Sequence, residues 1–305
     1  MRVGISITSG YVGVTAAEAV GNVVERARMA ADVDLDHLTL GDHHVTGPDR
    51  HYVQNVPTVG RIMADWPGDR PIGCLFLLPL WHPVLAAEQI GTLAAMSDVP
   101  FIVQTGIGWG QREFAAMGQS LSERGDRIDE AVRVIKGLLA GETVTSDRFN
   151  IADAAIAPQP PHGVEWWIGS GVGDRPLTRA ATEGDAWYVG PGLPPDRLGA
   201  AVDRYRERCA TAGTRPRVAL RRDVFLTDND DEGLRRGREM VAAGYRGMTE
   251  DVLIYGGVDR AVERLSDLAD VGVDDVVVRT MAVGQAEALR SIELIGDARR
   301  LLAAG

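Results

Sequence analysis

The chain has 305 residues, 45% of them hydrophobic and 25% charged, with a formal net charge of −11. That balance supplies a sizeable core and excludes low-complexity disorder. It also argues against nucleic acid or an anionic membrane surface as a partner, because no Lys/Arg-rich block offsets the acidity.

The chain alternates short apolar runs with longer helical patterns. Val3 to Ile7 is the first strand. Thr15-Ala16-Ala17-Glu18 has capping-box spacing and opens a helix whose apolar positions run from Val20 to Ala31 at helical period. His37 to Leu40 is the second strand and stops in Gly41-Asp42-His43-His44. A helix over Val56 to Met63 interrupts the loop that follows. Ile72 to Leu78 is the third strand, and His82-Pro83 opens a helix through Met96 because proline suits a first turn. Phe101 to Thr105, the fourth strand, runs into Gly106-Ile107-Gly108-Trp109-Gly110. Ser120 to Glu123 repeats the capping-box spacing ahead of an amphipathic helix carrying Ile128, Val132, Ile135 and Leu139. Residues 141–163 break the rhythm with a small hairpin around Val144 and Phe149. Glu165 to Ile168 and Ala186 to Val189 are strands five and six, each followed by a helix (Pro176 to Glu183 and Asp196 to Ala212). Val218 to Leu226 is the seventh. Helices over 230–242 and 258–270 flank an irregular stretch. Asp275 to Arg279 is the eighth strand, and Ala286 to Leu302 closes the chain.

Eight near-continuous apolar strands separated by helices indicate an α/β fold, a parallel (β/α)8 TIM barrel. A doubly wound open sheet gives the same alternation; the count of eight and the final helix favour closure. The expected organisation is a single domain over 1–305 with insertions near 46–71, 141–163 and 243–257. No apolar stretch approaches the ~20 residues that span a bilayer, and Met1 leads straight into a strand, so a soluble cytoplasmic protein is expected. Cys74 and Cys209 form neither a metal-ligand spacing nor a disulfide framework.

A barrel of this kind builds its site from the loops after its strands. Asp42, His43 and His44 are the catalytic candidates, since three titratable groups exceed what a buried strand end needs and imidazole moves protons near neutral pH. One histidine alone would more often be structural. Gly73, Cys74 and Leu75 lie in the third strand. Gly106, Gly108, Trp109 and Gln111 follow the fourth. Gly169, Ser170, Gly171, Val172, Gly173 and Arg175 follow the fifth. Glycine lets main-chain N–H groups approach a flat or charged ligand, and a helix start behind such a turn attracts anions. Asp174 is the expected cap of that helix. The second glycine run lacks the dinucleotide-binding spacing. The charged run Glu123 to Glu130 fits a solvated helix face with local ion pairs.

Taken together, these motifs resemble the bacterial luciferase-like family of flavin-dependent oxidoreductases along almost the whole chain. The resemblance rests on Gly41-Asp42-His43-His44, Leu78-Pro79-Leu80-Trp81-His82-Pro83 with Ala87-Glu88, Gly106 to Gly110 with Glu113-Phe114, Glu123-Arg124 to Leu138-Leu139, Ser170-Gly171 with Gly184 to Trp187, and Val273 to Val276. It implies a barrel binding reduced FMN or the deazaflavin F420 at the strand C-termini, with His43 at the reactive ring edge. It further implies a non-proline cis peptide at Gly73-Cys74 or Cys74-Leu75, a small organic substrate, and family members that are often homodimers. Two departures concern the cofactor. The luciferase alpha subunit carries an arginine for the FMN phosphate where this chain has Ile107, so that either Arg112 or Arg175 substitutes or the ligand differs. Sugar-phosphate F420 enzymes place an acid soon after the glycine loop, where Gln111 stands here and Glu113 is the nearest carboxylate.

The first expectation is a monooxygenase using dioxygen and reduced FMN from a separate reductase. An F420-dependent hydride-transfer oxidoreductase is the alternative. A flavin-binding protein without turnover, or a sugar or aldehyde enzyme on the same barrel, stays open because fold does not fix function.

Overall fold

A computed structural model describes residues 1–281 and 283–304. Eight parallel strands form a closed ring: β1 Arg2–Ile7, β2 Leu38–Leu40, β3 Ile72–Leu77, β4 Phe101–Gly106, β5 Val164–Gly169, β6 Ala186–Val189, β7 Val218–Leu226 and β8 Asp275–Thr280. Each pairs with the next, and β8 returns to β1 with Arg2 opposite Asp275 and Ile5 opposite Val278. The open-sheet alternative is therefore excluded. Ten helices lie among the described residues; those used below are α1 Ala16–Asp32, α4 Gln111–Ala116, α5 Arg124–Leu139, α6 Asp174–Glu183 and α7 Pro195–Ala212.

The strands are apolar on both faces because both are covered. Val276 and Val278 belong to the large core between ring and helices, whereas Val277 packs inside the ring with Ile102, Trp167, Ala186, Tyr188 and Ala219. The charged residues inside the ring gather toward its two ends. At the N-terminal end, buried Asp275 accepts from Arg2 Nε at 2.5 Å and Arg217 Nε at 2.7 Å. Arg217 also pairs with Glu165, which takes Trp167 Nε1 at 2.9 Å. His37 lies in the same layer, wholly buried, with neither ring nitrogen hydrogen-bonded. Burial pushes its pKa down to about 4, so it is neutral at pH 7.

Local rules succeed where the chain can satisfy them locally. The Thr15 capping box forms: Glu18 N–H donates to Thr15 Oγ1 at 3.2 Å, and Thr15 N–H to Glu18 Oε2 at 2.7 Å. Thr15→Ala is expected to cost about 1 kcal/mol in urea unfolding, and an unchanged midpoint contradicts the capping role. The second box does not form. Ser120 Oγ instead meets Ser122 Oγ at 2.8 Å, a 3-10 turn covers Leu121–Glu123, and α5 begins at Arg124. The irregular stretch before residue 258 contains an unforeseen strand, Leu253–Gly256. It pairs with the second half of β7, which runs beyond the four-residue β6 and otherwise leaves an open edge. The hairpin over 141–163 forms as Val144–Ser146 against Ile151–Ala154.

Candidate active site

The C-terminal ends of the strands open into a cavity of about 580 Å³. On its β2 side the Asp42 carboxylate is buried, and its Oδ2 accepts from Leu77 N–H and Trp81 Nε1, each at 2.8 Å. The end of β2 is thus tied to the end of β3 by one acid. Asp42 Oδ1 lies 3.3 Å from His44 Nε2, an ion-pair contact without hydrogen-bond geometry. That carboxylate raises the His44 pKa above its ordinary value.

His43 turns the other way and lines the cavity, half exposed. Its Nδ1 lies 3.6 Å from Glu113 Oε1, which also accepts His44 N–H at 2.6 Å. The ring stands edge-on to Tyr52, and the His43 carbonyl accepts from Gln54 Nε2 at 3.2 Å. Burial lowers the His43 pKa, with Glu113 opposing. Neighbouring imidazoles therefore shift in opposite directions because only one of them rests on Asp42. Val45, just after the pair, holds φ 52°, a costly conformation for a β-branched residue and a sign that the turn is over-determined.

The glycine runs form the β4 and β5 side of the mouth. Gly108 has φ 71°, and a Cβ at Gly169 would lie 1.9 Å from the Thr105 carbonyl oxygen, so neither position accepts a side chain without rearrangement. Between them the buried Gln104 reaches the cavity wall with Nε2 unpaired. A buried donor left without a partner in a side chain of the cavity wall fits a ligand that brings a carbonyl or ring nitrogen. Trp109, at the rim, is 82% exposed.

The β7 and β8 side is basic. Arg221 and Asp223 project from the same face of β7, with Nε to Oδ1 at 3.0 Å. Asp223 Oδ2 also accepts from Tyr245 at 2.9 Å and lies 3.7 Å from Arg246 Nε. Arg279 bonds Thr8 Oγ1 at 3.2 Å, and burial together with Arg221 pushes it down to about 10. Arg222, on the opposite face of β7, donates to the carbonyls of Pro191 and Leu193 at 3.0 and 2.9 Å and fixes that part of the cavity wall.

A model of the luciferase-like monooxygenase family matches residues 1–303. The chain belongs to that family. An uncharacterized protein of Mycobacterium tuberculosis (strain ATCC 25618 / H37Rv) is 30% identical over 173 residues, 55% of this chain and 59% of that one. An FMNH(2)-dependent dimethylsulfone monooxygenase of Pseudomonas putida is 25% identical over 53% of this chain and 46% of its own. The chain thus spans about half the length of the curated relatives it matches. A monooxygenase from Streptomyces bottropensis shares the fold at TM-score 0.86 over all of both chains, with 18% identity. An F420-dependent secondary alcohol dehydrogenase, solved with an F420-acetone adduct, does so at 0.80 over 98% of this chain and 99% of that one, with 16% identity. At those identities the likeness concerns fold alone.

Of the residues singled out from sequence, Asp42, His43, Leu75, Gly106, Gly108, Trp109, Gly169, Ser170, Gly171 and Val172 line one cavity. His44, Gly73, Cys74, Gln111, Gly173 and Arg175 do not. His44 is turned toward Asp42. Cys74 packs outward into the ring–helix core, and Gly73 sits against the Ile102 carbonyl inside the ring. The expected non-proline cis peptide is absent: β3 pairs in regular register with β4 from Gly73 to Leu77, and the cis bond among the described residues is Ala157-Pro158. Gln111 is exposed at the start of α4. Gly173, not Asp174, is the cap of α6, and Asp174 instead accepts from Arg204 at 2.8 Å. Arg175 is spent on Asp126 and Asp129 of α5, both at 2.5 Å, so the acidic run there forms pairs between helices. Of the three expected insertions, only 243–257 reaches the cavity lining, through Arg246.

Sequence reasoning passed over Gln104, Arg221 and Asp223. One signal was available: Arg221 and Asp223, at i and i+2 of a strand, must share one face.

Proposed function

We propose that this luciferase-like chain is an oxidoreductase that holds reduced FMN in the cavity, supplied by a separate reductase, and oxidises a small organic molecule with dioxygen. The observation that carries this reading is His43, a cavity-facing imidazole backed by Glu113 and set opposite two glycine walls with an unpaired Gln104 amide between them. The flavin, when bound, supplies the redox chemistry. Main-chain N–H groups of residues 107–108 and 171–172 would hold it, with Gln104 meeting a ring acceptor. Arg197, a cation in the lining, takes the phosphate task that Arg175 and Ile107 do not. Glu113 orients His43 through Nδ1, leaving Nε2 to hold or move a proton at the cavity. Asp42 is a positioning residue: it fixes Trp81 and His44 and so the turn that aims His43. The single-domain organisation belongs to the same reading.

The F420-dependent hydride-transfer alternative draws on Glu113, which places a carboxylate beside His43 just after the glycine loop. Separate anaerobic titrations with reduced FMN and reduced F420 decide between them. Tighter, one-to-one binding of FMN supports the proposal, tighter binding of F420 replaces it, and binding of neither removes both.

The lowered His43 pKa gives a further expectation. Neutral His43 persists below pH 6.5, so the acid limb of the turnover profile falls at a lower pH than a free imidazole gives. A limb unchanged in His43→Gln, measured over pH 4–8, assigns it to another group.

A further inference from the structure

We infer that the organic substrate carries an oxyanion, a carboxylate, sulfonate or phosphate, gripped by Arg221 and Arg246, with Arg279 of the adjoining β8 adding charge, on the β7 and β8 side of the cavity. The inference rests on the cavity being the cofactor and substrate site, and names the substrate's chemical class. Two cavity-lining guanidinium groups, Arg221 and Arg246, share one carboxylate, Asp223, at 3.0 and 3.7 Å, and the buried Arg279 of β8 adds a third positive charge nearby, so positive charge exceeds negative in this part of the wall. Packing like charges this closely is costly unless something negative completes the set. In a chain of net charge −11 such a surplus is not a by-product of composition.

Position separates this grip from the main-chain donors assigned to the cofactor. The glycine runs that offer main-chain donors end β4 and β5. Arg279 ends β8 and bonds Thr8 just past β1, and β1 adjoins β2, which leads to His43. In the order of the ring β8 lies directly across from β4, where the first glycine run begins. Asp42 and Glu113 make the far rim negative, so an oxyanion is held in one orientation. Arg246 comes from the excursion 243–257 rather than from a barrel strand, and its half-exposed side chain enters the lining from outside the ring. Planar guanidinium groups suit bidentate recognition of oxyanions.

The test is calorimetric titration with inorganic sulfate of the cofactor-free protein and of the protein loaded with whichever reduced cofactor binds. Sulfate is expected to bind both forms. Arg246→Gln, chosen because the residue lies outside the core, should weaken sulfate by about tenfold or more while leaving cofactor affinity within about twofold. Arg221→Gln, checked for unchanged thermal unfolding, should do the same. Sulfate that is displaced by the cofactor, with Arg246→Gln weakening the cofactor instead, assigns the grip to the cofactor phosphate and overturns the inference. Equal sulfate binding by wild type and both variants, or none by any, also overturns it. Failure of both cofactors to bind sinks the proposed function separately, because the cofactor-free titration still reads the grip.

Discussion

His43→Ala is expected to lower turnover about 10²- to 10⁴-fold while cofactor affinity stays nearly constant. That range is what a positioned proton-transfer group contributes. The substitution removes the imidazole from the cavity face but leaves Asp42 bound to Leu77 N–H and Trp81, so the β2–β3 junction that frames the cavity survives. Cofactor binding should survive too, because the donors assigned to it belong to the glycine runs and Gln104. Asp42→Asn should behave differently: it disturbs Trp81 and His44 together and should lower both turnover and thermal stability. Steady-state rates beside anaerobic titrations separate the two. Full turnover in His43→Ala contradicts a chemical role for the residue and favours a flavin carrier or chemistry based elsewhere in the cavity.

Asp275→Asn is expected to cost about 3–5 kcal/mol in urea unfolding without moving the cavity. The carboxylate is buried and compensates Arg2 and Arg217 at the opposite end of the barrel, and an amide in its place keeps the burial but loses the charge-assisted bonds to both. His37 beside it adds a pH dependence whose sign is fixed. Its folded pKa is depressed to about 4 from an unfolded value of 6.5. Between those values the unfolded chain binds a proton that the folded chain does not, so stability is complete above pH 6.5 and is lost as pH falls toward 4. The window corresponds to a loss on the order of 3 kcal/mol. His37→Leu should flatten it. A wild-type stability flat between pH 7 and 4 contradicts a neutral buried His37, and an unchanged unfolding midpoint in Asp275→Asn contradicts the role of the network.

The barrel was legible because burial on both faces writes each strand as an apolar run, and because capping, proline and glycine signals punctuate the runs within a few residues. Thr15 shows such a signal honoured locally, and Ser120 shows a similar spacing overruled when its hydroxyl finds Ser122 first. The site was legible only where its residues adjoin in sequence. Asp42, His43 and His44 were visible as a group, yet their three different tasks depend on Trp81 and on Glu113, which lies 69 residues beyond His44. The cavity-lining cation was not legible for the same reason. Arg175 stands next to a glycine turn, but two aspartates of α5 reach it first, while Arg246 arrives from a distant excursion with no local motif.

The central claim is that a planar redox ring lies in this cavity with His43 at its edge. Diffraction from crystals of the complex with the tighter-binding reduced cofactor tests it most directly. The expected result is ring density between the glycine runs and His43, with Gln104 Nε2 within hydrogen-bonding distance of a ring acceptor. Density for the ring anywhere else on the barrel, or a ring whose reactive edge turns away from His43, contradicts it.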